Sequence, residues 1–352
     1  MISSNKPIVT AILSYGMSGE VFHAPLIDAH PGFKLKTILE RKTEKSKQYY
    51  SAVNIARSID DVMNDPEIEL IVVNTPNDTH LDFTIRALEA GKHVIVEKPF
   101  TNTSQDSVKL IELAKKKERI LSVFQNRRWD GGFITLKKII DSGVLGKIVE
   151  YEAHYDRFRN YIVANTWKEE AGPGSGILYN LGSHMLDQVL VLFGKPESVS
   201  AKIGIQRPGG RVDDFYDLRL SYKELNVIVK SSYLVREAGP IYVVHGVNGS
   251  FVKYGLDPQE EALKVHRIPG NPGWGTEPEK YWGKLNTEID GAPFEGKIET
   301  TPGNYLTYYQ NIYEAIREGK TLAVTGEDGK NVIRLIEACI RSNEEKREVA
   351  FV

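Results

Sequence analysis

The sequence predicts a two-part α/β chain: a doubly wound parallel sheet first, then an α+β part with a large, mostly antiparallel, open-faced sheet. Three observations carry this prediction. Short, almost continuous apolar runs alternate with helical stretches over the first 125 residues; a glycine turn follows the first of those runs; and beyond them the pattern changes to alternation of apolar and polar residues. A continuous apolar run suits a parallel strand covered on both faces, whereas alternation suits an antiparallel strand with one face free.

Residues 7–13 (Pro-Ile-Val-Thr-Ala-Ile-Leu) read as the first strand and residues 33–39 as the second. Residues 70–74 give a third, followed by a helix ending near Gly91; 93–97 a fourth; and 120–124 a fifth, after a helix over 104–117. Strands alternating with helices at this spacing imply right-handed crossovers and helices on both faces. Residues 149–155, 215–222, 226–232 and 241–245 alternate with period two and read as antiparallel strands. Residues 255–300, rich in Gly, Pro and Trp, read as a long ordered loop region, with Trp274 and Trp282 as local core. No internal repeat is present. The domains expected are 1–125, a dinucleotide-binding domain, and 126–352, a substrate and oligomerisation domain; a C-terminal helix near 328–345 is expected to pack back on the first. The free sheet face reads as an oligomer interface or a substrate floor, and a homodimer or homotetramer through it is expected.

With 352 residues the chain exceeds one ordinary core, which favours two domains. A hydrophobic share of 41% and a charged share of 26% are those of a globular protein, and a net charge of -2 gives no footprint for nucleic acid or an anionic membrane. Cys339 is the one cysteine, so no internal disulfide exists; its helical apolar surroundings read as a buried, inert thiol. No charged-then-apolar leader and no apolar run of the ~20 residues that span a bilayer are present, so a soluble cytoplasmic protein is expected.

Ser14-Tyr15-Gly16-Met17-Ser18-Gly19 follows the first strand and opens a helix, the context of the Rossmann dinucleotide fingerprint. Ser14 replaces the first glycine and fits if its φ stays negative. Gly16 lets the backbone approach a pyrophosphate and Gly19 lets helix and strand pack closely. Glu40, Arg41 and Lys42 end the second strand, where the ribose is read. An acid there suits the 2′-hydroxyl of NAD and an arginine the 2′-phosphate of NADP. Both are offered; the adjacent cations lean the reading to NADP, NAD being the alternative, with solvated side chains as the bland option.

Glu97-Lys98-Pro99 closes the fourth strand, at the carboxyl end where α/β sheets place ligands. An ammonium at Lys98 suits stabilising a developing oxyanion. Gly176-Ile-Leu-Tyr-Asn180-Leu-Gly-Ser-His184 opens an apolar helix, with Asn180 and His184 four apart and so on one face. A histidine there suits taking a hydroxyl proton as hydride leaves the same carbon. The combination reads as a hydride-transfer enzyme for an alcohol or ketone. No cluster of His, Cys or carboxylates has metal-ligand spacing, so no metal is predicted.

The chain resembles the Gfo/Idh/MocA family of NAD(P)-dependent oxidoreductases over essentially its whole length. The resemblance rests on Tyr15-Gly-Met-Ser-Gly-Glu-Val-Phe-His-Ala-Pro25, Thr75-Pro-Asn-Asp-Thr-His80, Glu97-Lys-Pro99, Gln125-Asn-Arg-Arg-Trp-Asp130 and Leu181-Gly-Ser-His-Met-Leu-Asp-Gln188. Within the family it is similar to the branch of NADP-dependent scyllo-inositol dehydrogenases. The resemblance implies that Lys98 and His184 are the catalytic pair and that Tyr15, Gly16, Met17, Ser18, Gly19, Thr75, Pro76, Asn77, His80, Glu97, Lys98 and Asn126 line the cofactor. It makes Arg127, Tyr155, Arg157 and Trp167 candidates for a polyol pocket, alongside Asn180 and His184. Asn180 departs from the pattern, since many members carry aspartate there. An amide orients a hydroxyl but supplies no charge to an imidazolium, so Asn180 is expected to orient substrate while His184 alone is the base. The competing reading is a non-catalytic sensor of dinucleotide and sugar on the same scaffold.

Overall fold

The computed structural model describes residues 6–164 and 166–351. The chain forms two compact units, each drawn from separate stretches of sequence. The first takes the chain up to Trp129 with Pro258–Trp274 and Asn304–Lys330; the second takes Asp130–Asp257, Gly275–Gly303 and the chain from Asn331 onward.

The first unit is built on a six-stranded sheet: β1 (Ile8–Ile12), β2 (Phe33–Leu39), β3 (Asn54–Ala56), β4 (Leu70–Val73), β5 (His93–Val96) and β6 (Leu121–Val123), in the order β3-β2-β1-β4-β5-β6. Every neighbouring pair is parallel. β1 and β4 are buried along their whole length, which is why their sequences are apolar without alternation. The three-residue β3 on the edge has no counterpart in the sequence reading. The crossovers are α1 (Ala24–Ala29), α2 (Ile59–Met63), α3 (His80–Glu89) and α4 (Ser104–Lys116). Ser58 and Thr103 start α2 and α4 by accepting the Asp61 and Asp106 backbone N–H groups. Strand order reverses between β1 and β4, which places the switch-point crevice at their carboxyl ends. The helix Leu306–Glu318 lays Tyr308 and Tyr309 against Phe124, just past β6, with the Tyr308 ring 4.9 Å from that of Phe124.

The second unit carries β7 (Ile148–His154), β8 (Ser198–Gly204), β9 (Phe215–Ser221), β10 (Asn226–Ser232), β11 (Tyr242–Gly246), β12 (Gly249–Lys253), β13 (Gly283–Ile289), β14 (Ala292–Ile298) and β15 (Val349–Ala350). They form one nine-stranded sheet in the order β14-β13-β12-β11-β7-β10-β9-β8-β15, antiparallel except where β7 and β10 run together. α5 (Gly131–Asp141), α6 (Ser183–Phe193) and most of the long helix Gly326–Glu345 belong to this unit. Buried and accessible residues alternate along β9 and β10: Tyr216, Leu218, Leu220, Val227 and Val229 point inward. The first turn of Gly326–Glu345 lies in the first unit, where Gly326 faces Leu121 and Gly329 faces Val123 and Phe100.

The reading of 255–300 as loop is wrong. It holds the helix Gln259–Lys264 and the β13–β14 hairpin, closed by Asp290 and Gly291, both at positive φ, the Asp-Gly pair that a tight hairpin turn favours. β13 has only Leu285 as a large buried apolar residue and β14 is exposed along most of its length, so hydrophobic periodicity is faint. Trp274 is buried as local core and Trp282 is half-buried. Cys339 is fully buried, its thiol pushed up to about 12 by burial. Among the described residues no helix is long and apolar enough to cross a membrane, and no three His, Cys, Asp or Glu side chains gather as a metal set.

Candidate active site

Between β1 and α1 the glycine turn is held from both sides. Ser14 does keep a φ outside the positive range, and its Oγ accepts the Gly16 N–H at 3.2 Å. Its carbonyl accepts from the Asn74 amide, at the end of β4, at 2.8 Å. A Cβ on Gly19 would stand 2.0 Å from the Ser14 carbonyl oxygen and 2.9 Å from Asn74 Nδ2, so only glycine fits. A Cβ on Gly16 would meet only Ser14 Oγ, at 3.5 Å, which leaves its outer side open. Met17 is exposed, and buried Tyr15 sets its ring edge-on to Tyr50. These residues fit a dinucleotide: a tight turn packed closely inward and bare backbone outward. Residues 19–23 then take a wide π-type turn before α1, a local geometry found often at functional positions.

Glu40 is buried and turned into its own loop. Oε1 accepts the Ser46 N–H and hydroxyl, at 3.0 and 2.5 Å, and Oε2 accepts the Thr43 hydroxyl and Lys45 N–H, at 2.6 and 2.9 Å. Burial works to raise its carboxyl pKa, but these hydrogen bonds outweigh it and hold the group below its ordinary value. The next residues, Arg41 and Lys42, are exposed and engage no hydrogen bond or ion pair among the described residues. Arg57, absent from the sequence reading, clasps the loop by donating to the Glu40 and Thr43 carbonyls at 2.8 and 2.6 Å and pairing with Glu44.

At the end of β4, the Thr75 hydroxyl pairs with that of Thr79 at 2.6 Å, Pro76 is exposed and Asn77 half-buried. His80, fully buried, bridges two carbonyls, that of Pro99 at 2.9 Å and that of Thr75 at 3.0 Å. Its ring therefore braces the turn after β5 rather than facing outward, and burial pushes its pKa down. Lys98 follows β5, half-buried, and joins Pro99 through a cis peptide. Glu97 is buried: its Oε1 accepts from Ser18 at 2.6 Å and His23 at 3.0 Å, and Oε2 accepts the Lys98 N–H at 3.0 Å. Asn126 is buried in the turn 126–129. Arg127, also buried, donates to Glu260 at 2.6 Å, which ties that turn to the helix Gln259–Lys264. The structure thus draws Gly16, Ser18, Gly19, Glu97 and Lys98 together, and commits Glu40 and Arg127 to protein partners.

In the second unit, Asn180 lies in a second π-type turn, Leu178–Gly182, which runs into α6 and buried His184. Gly174 and Gly176 both have positive φ. Asp213, missed by the sequence reading, fixes the start of this helix: its carbonyl accepts Ile177 N–H at 2.9 Å and its Oδ2 accepts Leu178 N–H at 2.8 Å. A Cβ on Gly176 would fall 1.8 Å from Asp213 Oδ1. Burial raises the Asp213 carboxyl to about 6, against the pull of the Leu178 N–H. Tyr155 is buried at the end of β7, with the half-buried Arg157 guanidinium 5.7 Å from its ring centre. The Trp167 side chain lies outside the described residues. Arg207, fully buried, holds the neighbouring loop by donating to Asp214 at 2.9 Å, Glu169 at 2.8 Å and the Tyr161 carbonyl at 2.8 Å.

Comparison with known proteins decides what this scaffold is. Residues 8–125 match the family model described as "Oxidoreductase family, NAD-binding Rossmann fold" and residues 137–351 the model "Oxidoreductase family, C-terminal alpha/beta domain". The chain belongs to the Gfo/Idh/MocA oxidoreductase family. Among members of that family, a scyllo-inositol 2-dehydrogenase (NADP+) of Bacillus subtilis is 43% identical over 345 residues, 97% of this chain and 95% of that protein. An inositol 2-dehydrogenase of Rhizobium meliloti is 24% identical over 97% of this chain and 98% of its own length. The solved structure of Bacillus subtilis yvaA gives a TM-score of 0.94 at 40% identity, covering 98% of this chain and 99% of that one. A Gfo/Idh/MocA chain with both family domains is an oxidoreductase.

Proposed function

We propose that this chain transfers a hydride between NADP(H) and a secondary alcohol or ketone of a cyclic polyol, with scyllo-inositol the first candidate. The observation that carries the reading is the 43% identity, over 97% of the chain, to an NADP+-linked scyllo-inositol dehydrogenase. The loop after β2 supports NADP. Glu40 has its carboxylate filled by four protein donors and keeps none of its acceptor capacity for a ribose diol, while Arg41 and Lys42 are exposed beside it and engage no partner among the described residues. Those two cations would hold a 2′-phosphate, and the Gly16–Gly19 backbone the pyrophosphate. The bound nicotinamide supplies the hydride acceptor or donor.

The rest of the reaction falls to the chain's own side chains. The Lys98 ammonium donates to the reacting oxygen and stabilises the charge that grows on it. Neutral His184 takes the hydroxyl proton in oxidation and returns it in reduction. Asn180 orients the substrate through its amide. The second sheet's open face carries Ile228, Val243 and Val252 among Glu152, His154 and Lys230, and in this reading it joins copies of the chain into a homodimer or homotetramer in the cytoplasm.

The test is initial-rate oxidation of scyllo-inositol, beside myo-inositol and glucose, with NADP and NAD in parallel. Turnover of scyllo-inositol with NADP, lost in Lys98→Met while NADPH still binds, supports the reading. NADPH binding with no turnover on any pair refutes it in favour of a sensor or another carbonyl substrate.

A further inference from the structure

A fully buried histidine sits between the glycine turn and the segment after β5 that carries Lys98. His23 ends the π-type turn that follows Gly19. Its Nε2 lies 3.0 Å from Glu97 Oε1 and its Nδ1 2.7 Å from the Tyr309 hydroxyl. Its ring rests on that of Phe124 with centroids 4.3 Å apart. Both ring nitrogens are thus engaged: Nδ1 meets the Tyr309 hydroxyl, and the Nε2–H donates to the carboxylate. Glu97 passes the constraint on in two directions. The oxygen that accepts from His23 also accepts from Ser18 of the glycine turn, at 2.6 Å, and the other accepts the Lys98 backbone N–H, at 3.0 Å.

We propose that His23 and Glu97, closed by Tyr309, form a positioning device that sets the Lys98 backbone and the glycine turn in one fixed relation. His23 and Tyr309 are fully buried and act through Glu97. Glu97 keeps its charge although it is buried: burial alone would raise its carboxyl, but the hydrogen bond and charge interaction with His23, then the nearby Lys98 ammonium and the Ser18 hydroxyl, hold it at about 2. An ionised carboxylate with three well-placed donors is a stiff joint, because charge-assisted hydrogen bonds are short and directional. Losing the His23 donor leaves that oxygen one partner short inside the protein, and the carboxylate must swing to recover it. Either swing moves the Ser18 end or the Lys98 end. A displacement of about 1 Å at a group that stabilises a developing charge costs on the order of a hundredfold in rate.

This inference rests on the reading of Lys98 as the group facing the reacting oxygen, so its test has a limb that does not depend on substrate. His23→Phe keeps an aromatic ring against Phe124 and removes the donor; His23→Gln puts an amide N–H near the Nε2 position and restores it. In protein shown folded by circular dichroism, His23→Phe should weaken NADPH binding, followed by cofactor fluorescence, about tenfold and lower kcat about ten- to a hundredfold with little change in KM for the polyol. His23→Gln should recover most of both losses. The inference is overturned if folded His23→Phe binds NADPH and turns over within about twofold of the parent, or if His23→Gln is no better than His23→Phe. Should His23→Phe not fold, Tyr309→Phe serves in its place: a fall of about threefold or more in NADPH affinity upholds the device and an unchanged affinity refutes it. A parent that binds NADPH but oxidises no polyol removes the proposed substrate and leaves the NADPH limb to decide.

Discussion

Replacing Glu40 with glutamine separates two roles for the residue that ends β2. The carboxylate accepts a backbone N–H on each oxygen, Ser46 on Oε1 and Lys45 on Oε2, with a hydroxyl beside each. Hydroxyls can reverse to meet an amide; backbone N–H groups cannot. Whichever way the glutamine is turned, its NH2 faces one of those two N–H groups, so either the buried Ser46 donor or the part-buried Lys45 donor loses its acceptor. That costs about 1–3 kcal/mol, read by chemical denaturation at pH 7. The loop that carries Arg41 and Lys42 loosens with it, so affinity for NADP should fall at least as much as that for NAD. The pH dependence has a definite sign. Because the folded carboxyl lies below its ordinary value, its stabilisation is complete above the unfolded pKa of about 4.3 and is lost as pH falls through the lower folded value. Glu40→Gln should therefore flatten the acid limb of the stability curve. A variant within about 0.5 kcal/mol of the parent that loses affinity for NAD alone would refute the argument, since only a carboxylate free to meet a ribose behaves so.

Three further substitutions probe other joints. Gly19→Ala places a Cβ 2.0 Å from a backbone oxygen that cannot move aside, so the turn must open; NADPH titration should show at least about a tenfold loss of affinity, with destabilisation of about 1–3 kcal/mol. Arg207→Met removes the buried cation that pairs with the Asp214 and Glu169 carboxylates; urea denaturation should register a loss of about 3–5 kcal/mol. Asn180→Asp gives His184 an acid on its own turn, which favours imidazolium; because oxidation needs the neutral ring, the acid limb of kcat/KM should move up by about one pH unit, and an unmoved profile would contradict the role given to Asn180.

What the sequence disclosed follows from how far apart the interacting residues stand. β1, β4, β5 and β6 are readable because each is buried along most or all of its length and writes that burial into a short, mostly apolar run; β2, exposed at Lys34, is readable from its buried carboxyl half. β3 and the β13–β14 hairpin escaped because backbone pairing, not an apolar face, holds them: β3 has three residues and β14 is mostly exposed. The same distinction governs the candidate site. Lys98, Asn180 and His184 stood out because strand ends and helix starts are local features. The groups that fix them are remote: His23 meets Tyr309 across 286 positions, Asp213 meets Leu178 across 35 and Arg207 meets Glu169 across 38. Glu40 shows the converse. Its identity suggested a ribose ligand, and only its local hydrogen bonds, to residues 43–46, show a carboxylate already satisfied. A residue type at the right strand end states what chemistry is available there; whether that chemistry is still free for a ligand is decided by partners, and a buried carboxylate with four donors is not free.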